Sequence, residues 1–176
     1  GLDVYYQVRH SPRAISFPQP AYHGASVIKD KDDYNEMRCH LYPPSTRVLE
    51  NLARWGEEQA KGEAVIWLTL EGFFWFPRTL LGIERHLYAF YDQTDLLKRI
   101  NLDLTEYYIL LLEKVKRICP PVFMTFAEDM SYNNGPMLSE TLYDTFIAPY
   151  YDVLVPILHD MGTMVIVDSD GDVGKM

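Results

Sequence analysis

The chain has 176 residues, with 16 Lys and Arg against 25 Asp and Glu, a formal net charge of −9. That length predicts a single domain over residues 1–176, and 48% apolar with 23% charged residues is enough for a packed core and excludes a disordered chain. A pI near 4.9 argues against nucleic acid as a partner, since phosphate binding needs clustered Lys and Arg, and no apolar run approaches the roughly 18 residues of a membrane span.

Val4 to Val8 (VYYQV) reads as a short strand, and the proline-punctuated stretch Ser11 to Pro20 as non-helical chain. His23-Gly24 to Lys31 reads as a loop carrying a short apolar piece. The first helix is predicted to start near Pro44, with Val48, Leu49, Leu52, Ala53 and Trp55 on its apolar stripe, and to stop before Gly62. Ala64 to Leu70 (AVIWLTL) is a continuous apolar strand of the sort covered on both faces in a parallel sheet, broken by Glu71-Gly72. An aromatic segment, Phe73 to Phe76, leads into a helical turn at Thr79 to Gly82.

A long helix is predicted from Thr94 to Ile118, with an interruption at Asn101-Leu102-Asp103 and a stop at Pro120-Pro121. The strand Val122 to Phe126 (VFMTF) meets Ala127-Glu128-Asp129. The turn-like Asn133-Asn134-Gly135-Pro136 lacks alternating flanks, which favours a rim loop or a plain turn over a hairpin. Ser139 is the expected N-cap of the next helix, which Pro149 and Pro156 should break or kink. Gly162 leads into the last strand, Thr163 to Val167, which ends at Asp168-Ser169-Asp170-Gly171.

Short apolar strands alternating with helices predict βαβ units and a parallel sheet, as an open doubly wound sheet or as part of a (β/α)8 barrel. No G-x-G-x-x-G or G-x-x-x-x-G-K-[ST] follows any strand, so nucleotide-binding versions lose weight. Both architectures carry function at the C-terminal ends of their strands. Those ends bear Glu71, then Glu128 and Asp129, then Asp168 and Asp170, carboxylates suited to proton transfer, cation binding or contact with polar substrate groups. Tyr132 and His23 are further candidates for ligand contact. Asp168 to Asp172 does not match a calcium loop, because Gly171 comes too early. Cys39 and Cys119 form no C-x-x-C, so a disulfide framework is not expected and a cytoplasmic location is.

Several blocks resemble the uroporphyrinogen decarboxylase superfamily. They are Phe123-Met124-Thr125-Phe126-Ala127-Glu128-Asp129-Met130, Asn134-Gly135-Pro136-Met137-Leu138-Ser139, Ala148-Pro149-Tyr150-Tyr151, and Val165-Ile166-Val167 running into Asp168-Ser169-Asp170-Gly171-Asp172-Val173. Leu70-Glu71-Gly72-Phe73-Phe74 to Leu81-Gly82-Ile83-Glu84 is similar to that family's middle motif, so the resemblance covers about residues 64 to 173. It implies a (β/α)8 barrel, of which this chain would be a truncated part. It also implies either a cofactor-free tetrapyrrole decarboxylase or a corrinoid-dependent methyltransferase that uses zinc.

The decarboxylase's Arg-Gln-Ala-Gly-Arg signature does not occur in the chain. The methyltransferase branch has His-x-Cys-Gly where this sequence has Asp168-Ser169-Asp170-Gly171, so two hard oxygen groups stand at the positions of zinc ligands. The resulting expectation is an enzyme of this superfamily whose reaction is methyl transfer linked to a corrinoid, with Glu128, Asp129, Asp168 and Asp170 as catalytic candidates and Glu71, Tyr132 and His23 as substrate contacts. A tetrapyrrole decarboxylase and a non-catalytic tetrapyrrole- or corrinoid-binding paralogue remain alternatives. A corrinoid protein and a second copy of the chain remain open as partners.

Overall fold

The computed structural model describes residues 26–42, 46–132 and 134–174. The predicted strand at Val4 to Val8, the stretch Ser11 to Pro20, the helix start at Pro44, and His23 lie outside the described residues.

Local chemistry decides where the helices start. α1 (Lys31–Leu41) begins at Asp30, whose side chain accepts hydrogen bonds from the backbone N–H groups of Asp32 and Asp33, and it carries Arg38 and His40 in its last turn. The expected loop ended at Lys31, and the first helix was expected only near Pro44. The Asp30 cap and the acid-first, base-last order of α1 were the available signals. α2 (Thr46–Ala60) follows, then the strand β1 (Trp67–Glu71). Two helices replace the single predicted turn, α3 (Trp75–Leu81) and α4 (Ile83–Asp92), divided at Gly82, whose φ of 72° favours glycine.

α5 (Thr94–Ile118) runs 25 residues without the expected interruption. Its buried Asn101 and Asp103 are polar because they have partners across the fold, and Asn101 Nδ2 donates to the carbonyls of Phe73 and Phe146, each at 3.0 Å. β2 (Phe123–Ala127) leads to a ribbon of β3 (Ser131–Tyr132) and β4 (Gly135–Pro136), paired antiparallel. The chain therefore does fold back here as a hairpin, which the lack of alternating flanks had argued against. Two residues per strand are too few to alternate. α6 (Glu140–Phe146) is capped by Ser139, as expected, and α7 (Ala148–Asp160) follows. The break falls at Ile147, which places Pro149 in the first turn, where its missing N–H costs nothing, while α7 continues through the exposed Pro156. The last strand is β5 (Met164–Asp168).

β1, β2 and β5 form a parallel sheet in that order, with Trp67, Phe123 and Met164 in one row and Glu71, Ala127 and Asp168 in another. This corrects the expectation of part of a (β/α)8 barrel. Among the described residues the architecture is α/β with an open three-stranded sheet, seven helices and a two-stranded ribbon, and no barrel is closed. Alternating apolar strands and helices dictate parallel pairing locally, whereas closure depends on strand number, tilt and stagger, which no local pattern encodes.

The sheet also differs from the two-sided burial that the strand composition suggested. Leu68, Leu70, Met124 and Phe126 are buried against the helices, where Phe126 meets Tyr108 of α5 and Tyr151 of α7 at ring separations of 6.5 and 5.1 Å. On the other face Trp67, Met164 and Ile166 are exposed, and Trp67 stacks on Phe123 at 6.0 Å. The core lies between the covered face and the helices, centred on Phe73, Leu97, Ile100, Leu104 and Leu112.

Candidate functional site

Parallel register brings the three strand ends to one edge, but it treats their carboxylates differently. Each strand starts three residues later than predicted for β1 and one later for β2 and β5, so Glu71 and Asp168 are the last residues of their strands rather than loop residues. Both occupy the row that contains Ala127, and strand alternation puts them on the open face of the sheet, either side of that small residue. Glu71 is partly buried, and burial raises its pKa above the ordinary carboxylate range. Asp168 is exposed, and its backbone carbonyl accepts from the N–H groups of Glu128 and Asp129 at 2.8 and 3.4 Å, which ties the end of β2 to the end of β5.

Glu128 turns the other way and is 0% exposed. Its Oε1 accepts from the Phe73 N–H at 2.9 Å and from the Tyr151 hydroxyl, and its Oε2 accepts from the N–H groups of Phe74 and Trp75 at 2.8 and 3.1 Å. These N–H groups belong to the start of α3, so the carboxylate caps that helix from another part of the chain. Gly72 makes the approach possible, because a Cβ there would stand 2.0 Å from Glu128 Cδ. Burial pushes Glu128 up to about 7, against the downward pull of Tyr151 and the three backbone donors. With four donors aimed at it, the carboxyl group anchors the loop after β1 and holds the first turn of α3 beneath the strand ends.

Asp129 takes a φ of 41°, the only non-glycine residue among those described with a positive φ. Its carbonyl accepts from Arg78 Nη1 at 3.1 Å. Asp170 is exposed in the loop after β5. That loop packs on the β3–β4 ribbon: Met130 N–H donates to Ser169 Oγ, and Ser131 Oγ donates to the Asp172 carbonyl, both at 3.1 Å. Gly171, at φ 75°, comes so close that a Cβ there would lie 2.7 Å from the Tyr132 carbonyl oxygen. Tyr132 itself is 59% exposed. The structure thus places Asp129 and Asp170 in the loops after β2 and β5, Tyr132 on the adjoining ribbon, and Glu71 and Asp168 in one edge row, and it directs Glu128 inward. His23 lies outside the described residues.

Three residues that sequence patterning does not single out stand around the start of α3. Arg78 is 7% exposed, and its guanidinium lies over the Trp75 ring at 4.9 Å from the centroid, which adds a cation to an edge read as purely acidic. His86 is buried against Phe74 and Phe90, with neither ring nitrogen hydrogen-bonded, and burial followed by the nearby Arg78 charge lowers its pKa to about 3. Tyr151 supplies the hydroxyl on Glu128. The Arg78 and His86 positions fall on helices that were not foreseen, and Tyr151 stood beside the apolar stripe that was.

Among the described residues no three His, Cys, Asp or Glu side chains are grouped to hold a metal ion. Asp168 and Asp170 are exposed and offer only oxygen, so these residues do not fit a thiol-activating zinc. No helix of the described residues is long and apolar enough to cross a membrane. No protein-family model matches the chain, nor does any curated protein or solved structure.

Proposed function

We propose that the chain belongs to an enzyme of the uroporphyrinogen decarboxylase superfamily that transfers a methyl group in a corrinoid-linked reaction, with its reacting groups at the C-terminal edge of the sheet. The observation that carries this reading is the shared row of Glu71, Ala127 and Asp168, with Asp129 and Asp170 in the loops immediately beyond. Methyl transfer to an acceptor that carries a proton needs a group to receive that proton. Glu71, whose pKa burial raises above the ordinary carboxylate range, stands in that row to receive it. Asp168 and Asp170 accept hydrogen bonds from polar substrate groups. Glu128 positions rather than reacts, because all four donors around it are already engaged.

A uniformly acidic edge would repel a polycarboxylate tetrapyrrole, and one buried arginine, Arg78, offsets only part of that charge, so methyl transfer is preferred over decarboxylation. The test is the double variant Asp168→Ala/Asp170→Ala. An enzyme using these groups loses turnover at least about a hundredfold while a pure binder keeps its affinity. Normal turnover of the double variant would remove the site assignment.

A further inference from the structure

We propose that Arg38 and Arg99 form a phosphate-binding site where α1 crosses α5, with Asp103 holding the two guanidinium groups side by side. The inference does not depend on the function proposed above. Asp103 has a side chain 2% exposed, and it receives Arg38 Nε at 2.6 Å, Arg38 Nη2 at 2.7 Å, Arg99 Nε at 3.1 Å, Arg99 Nη2 at 2.8 Å and the Tyr34 hydroxyl at 2.8 Å. The Tyr34 hydroxyl is in turn 2.8 Å from that of Tyr42. Burial alone would raise the Asp103 pKa, but the hydrogen bonds from Arg38, Tyr34 and Arg99 outweigh it and hold the carboxyl below its usual range, so it stays charged.

One buried carboxylate is neutralised by one arginine. Here two share it, and the cluster keeps a surplus positive charge in a chain of net charge −9. Two guanidinium groups on one carboxylate repel each other, and that repulsion is relieved when an anion lies against both. Each group has five N–H donors and gives two to Asp103, which leaves three on each. The side chains are 42% and 43% exposed, so these remaining donors are within reach of solvent. A ligand carboxylate carries one charge, and its two oxygens lie in one plane. A phosphate presents oxygens in several directions and carries up to two charges, which matches two forks pinned at a fixed spacing. The ligand class is therefore a phosphate group, free or as a monoester.

Calorimetric titration of the full chain with inorganic phosphate, and separately with glycerol phosphate, tests the site. Saturable one-to-one binding with a Kd of about 1 mM or tighter is expected, weakened at least about tenfold by Arg99→Gln and less by Arg99→Lys, which keeps the charge and loses the fork. Each single arginine variant leaves Asp103 paired to the other arginine, and thermal unfolding verifies that the fold is kept. Tyr34→Phe removes a bond to Asp103 but no cation, and is expected to bind phosphate within about twofold of wild type. Tighter binding of the ester would identify a phosphorylated small molecule as the ligand, and equal binding the free ion. Absence of saturable binding up to about 20 mM of either ligand would overturn the proposal. So would retention of affinity in both Arg38→Gln and Arg99→Gln, or a loss in Tyr34→Phe as large as that in Arg99→Gln.

Discussion

Replacing Tyr151 by Phe isolates one buried polar contact at the strand-end edge. Tyr151 is 8% exposed, and its ring packs edge-on against Phe73 and Phe126 at 5.0 and 5.1 Å, contacts that phenylalanine retains. Only the hydroxyl on Glu128 Oε1 is lost. A hydrogen bond to a charged group contributes roughly 1.5–3 kcal/mol, so the expected destabilisation is about 2 kcal/mol when Glu128 is ionised. For a chain of this size that corresponds to a Tm lower by about 4–8 °C.

The pH dependence follows from the direction of the shift at Glu128. Its pKa is raised from 4.5 to about 7 on folding. The associated stability is fully present below 4.5 and is lost as pH rises through 7, by about 3 kcal/mol in all, at 1.36 kcal/mol per unit of pKa. Tyr151 pulls that pKa down, so its removal raises the folded value further and enlarges the loss. The effect of Tyr151→Phe should therefore be larger at about pH 8.5 than at about pH 4.5. Urea unfolding followed by circular dichroism at both pH values measures it. A difference from wild type below about 0.5 kcal/mol at the higher pH, or a larger effect at the lower pH, would refute the assignment of Glu128 as a charged anchor.

Gly72→Ala should be among the most destabilising single changes, about 4 kcal/mol, because the added Cβ would stand 2.0 Å from Glu128 Cδ and push the carboxylate off the start of α3. Equilibrium unfolding reads this directly, and a loss below about 1 kcal/mol would contradict the packing described. His86→Phe should raise stability near neutral pH by about 1–2 kcal/mol, since it removes two buried nitrogens without partners. His86 has its pKa lowered from 6.5 to about 3, so its contribution is present above 6.5 and is lost as pH falls toward 3. Melting curves across that range should be flatter for the variant than for wild type, and identical slopes would exclude His86 from the acid limb.

Periodicity and apolar runs sufficed for the parallel strands, for the long helix α5 and for Ser139 as a cap, because each of these is encoded within a few residues. That the sheet stays open was not readable, since closure is a property of the whole sheet, and an apolar strand such as Trp67–Glu71 looks the same whether one face or both are covered. Asn101 and Asp103 suggested an interrupted helix because their partners, Phe73, Phe146, Arg38 and Tyr34, are distant in sequence. Glu128 and Asp129 stood together as equivalent edge carboxylates. Strand alternation turned the first inward onto three backbone N–H groups, and the left-handed Asp129 left the second in the loop beyond. Glu71-Gly72 read as a simple strand break, although the missing Cβ at Gly72 is what lets Glu128 reach α3.

An absorbance titration with a corrinoid, and separately with a uroporphyrin, tests the proposed function most directly. The account predicts saturable, stoichiometric corrinoid binding by the wild-type chain, weakened at least about tenfold in a Glu71→Gln/Asp168→Asn variant that keeps its melting temperature. Binding of the uroporphyrin alone, or of neither, would contradict it.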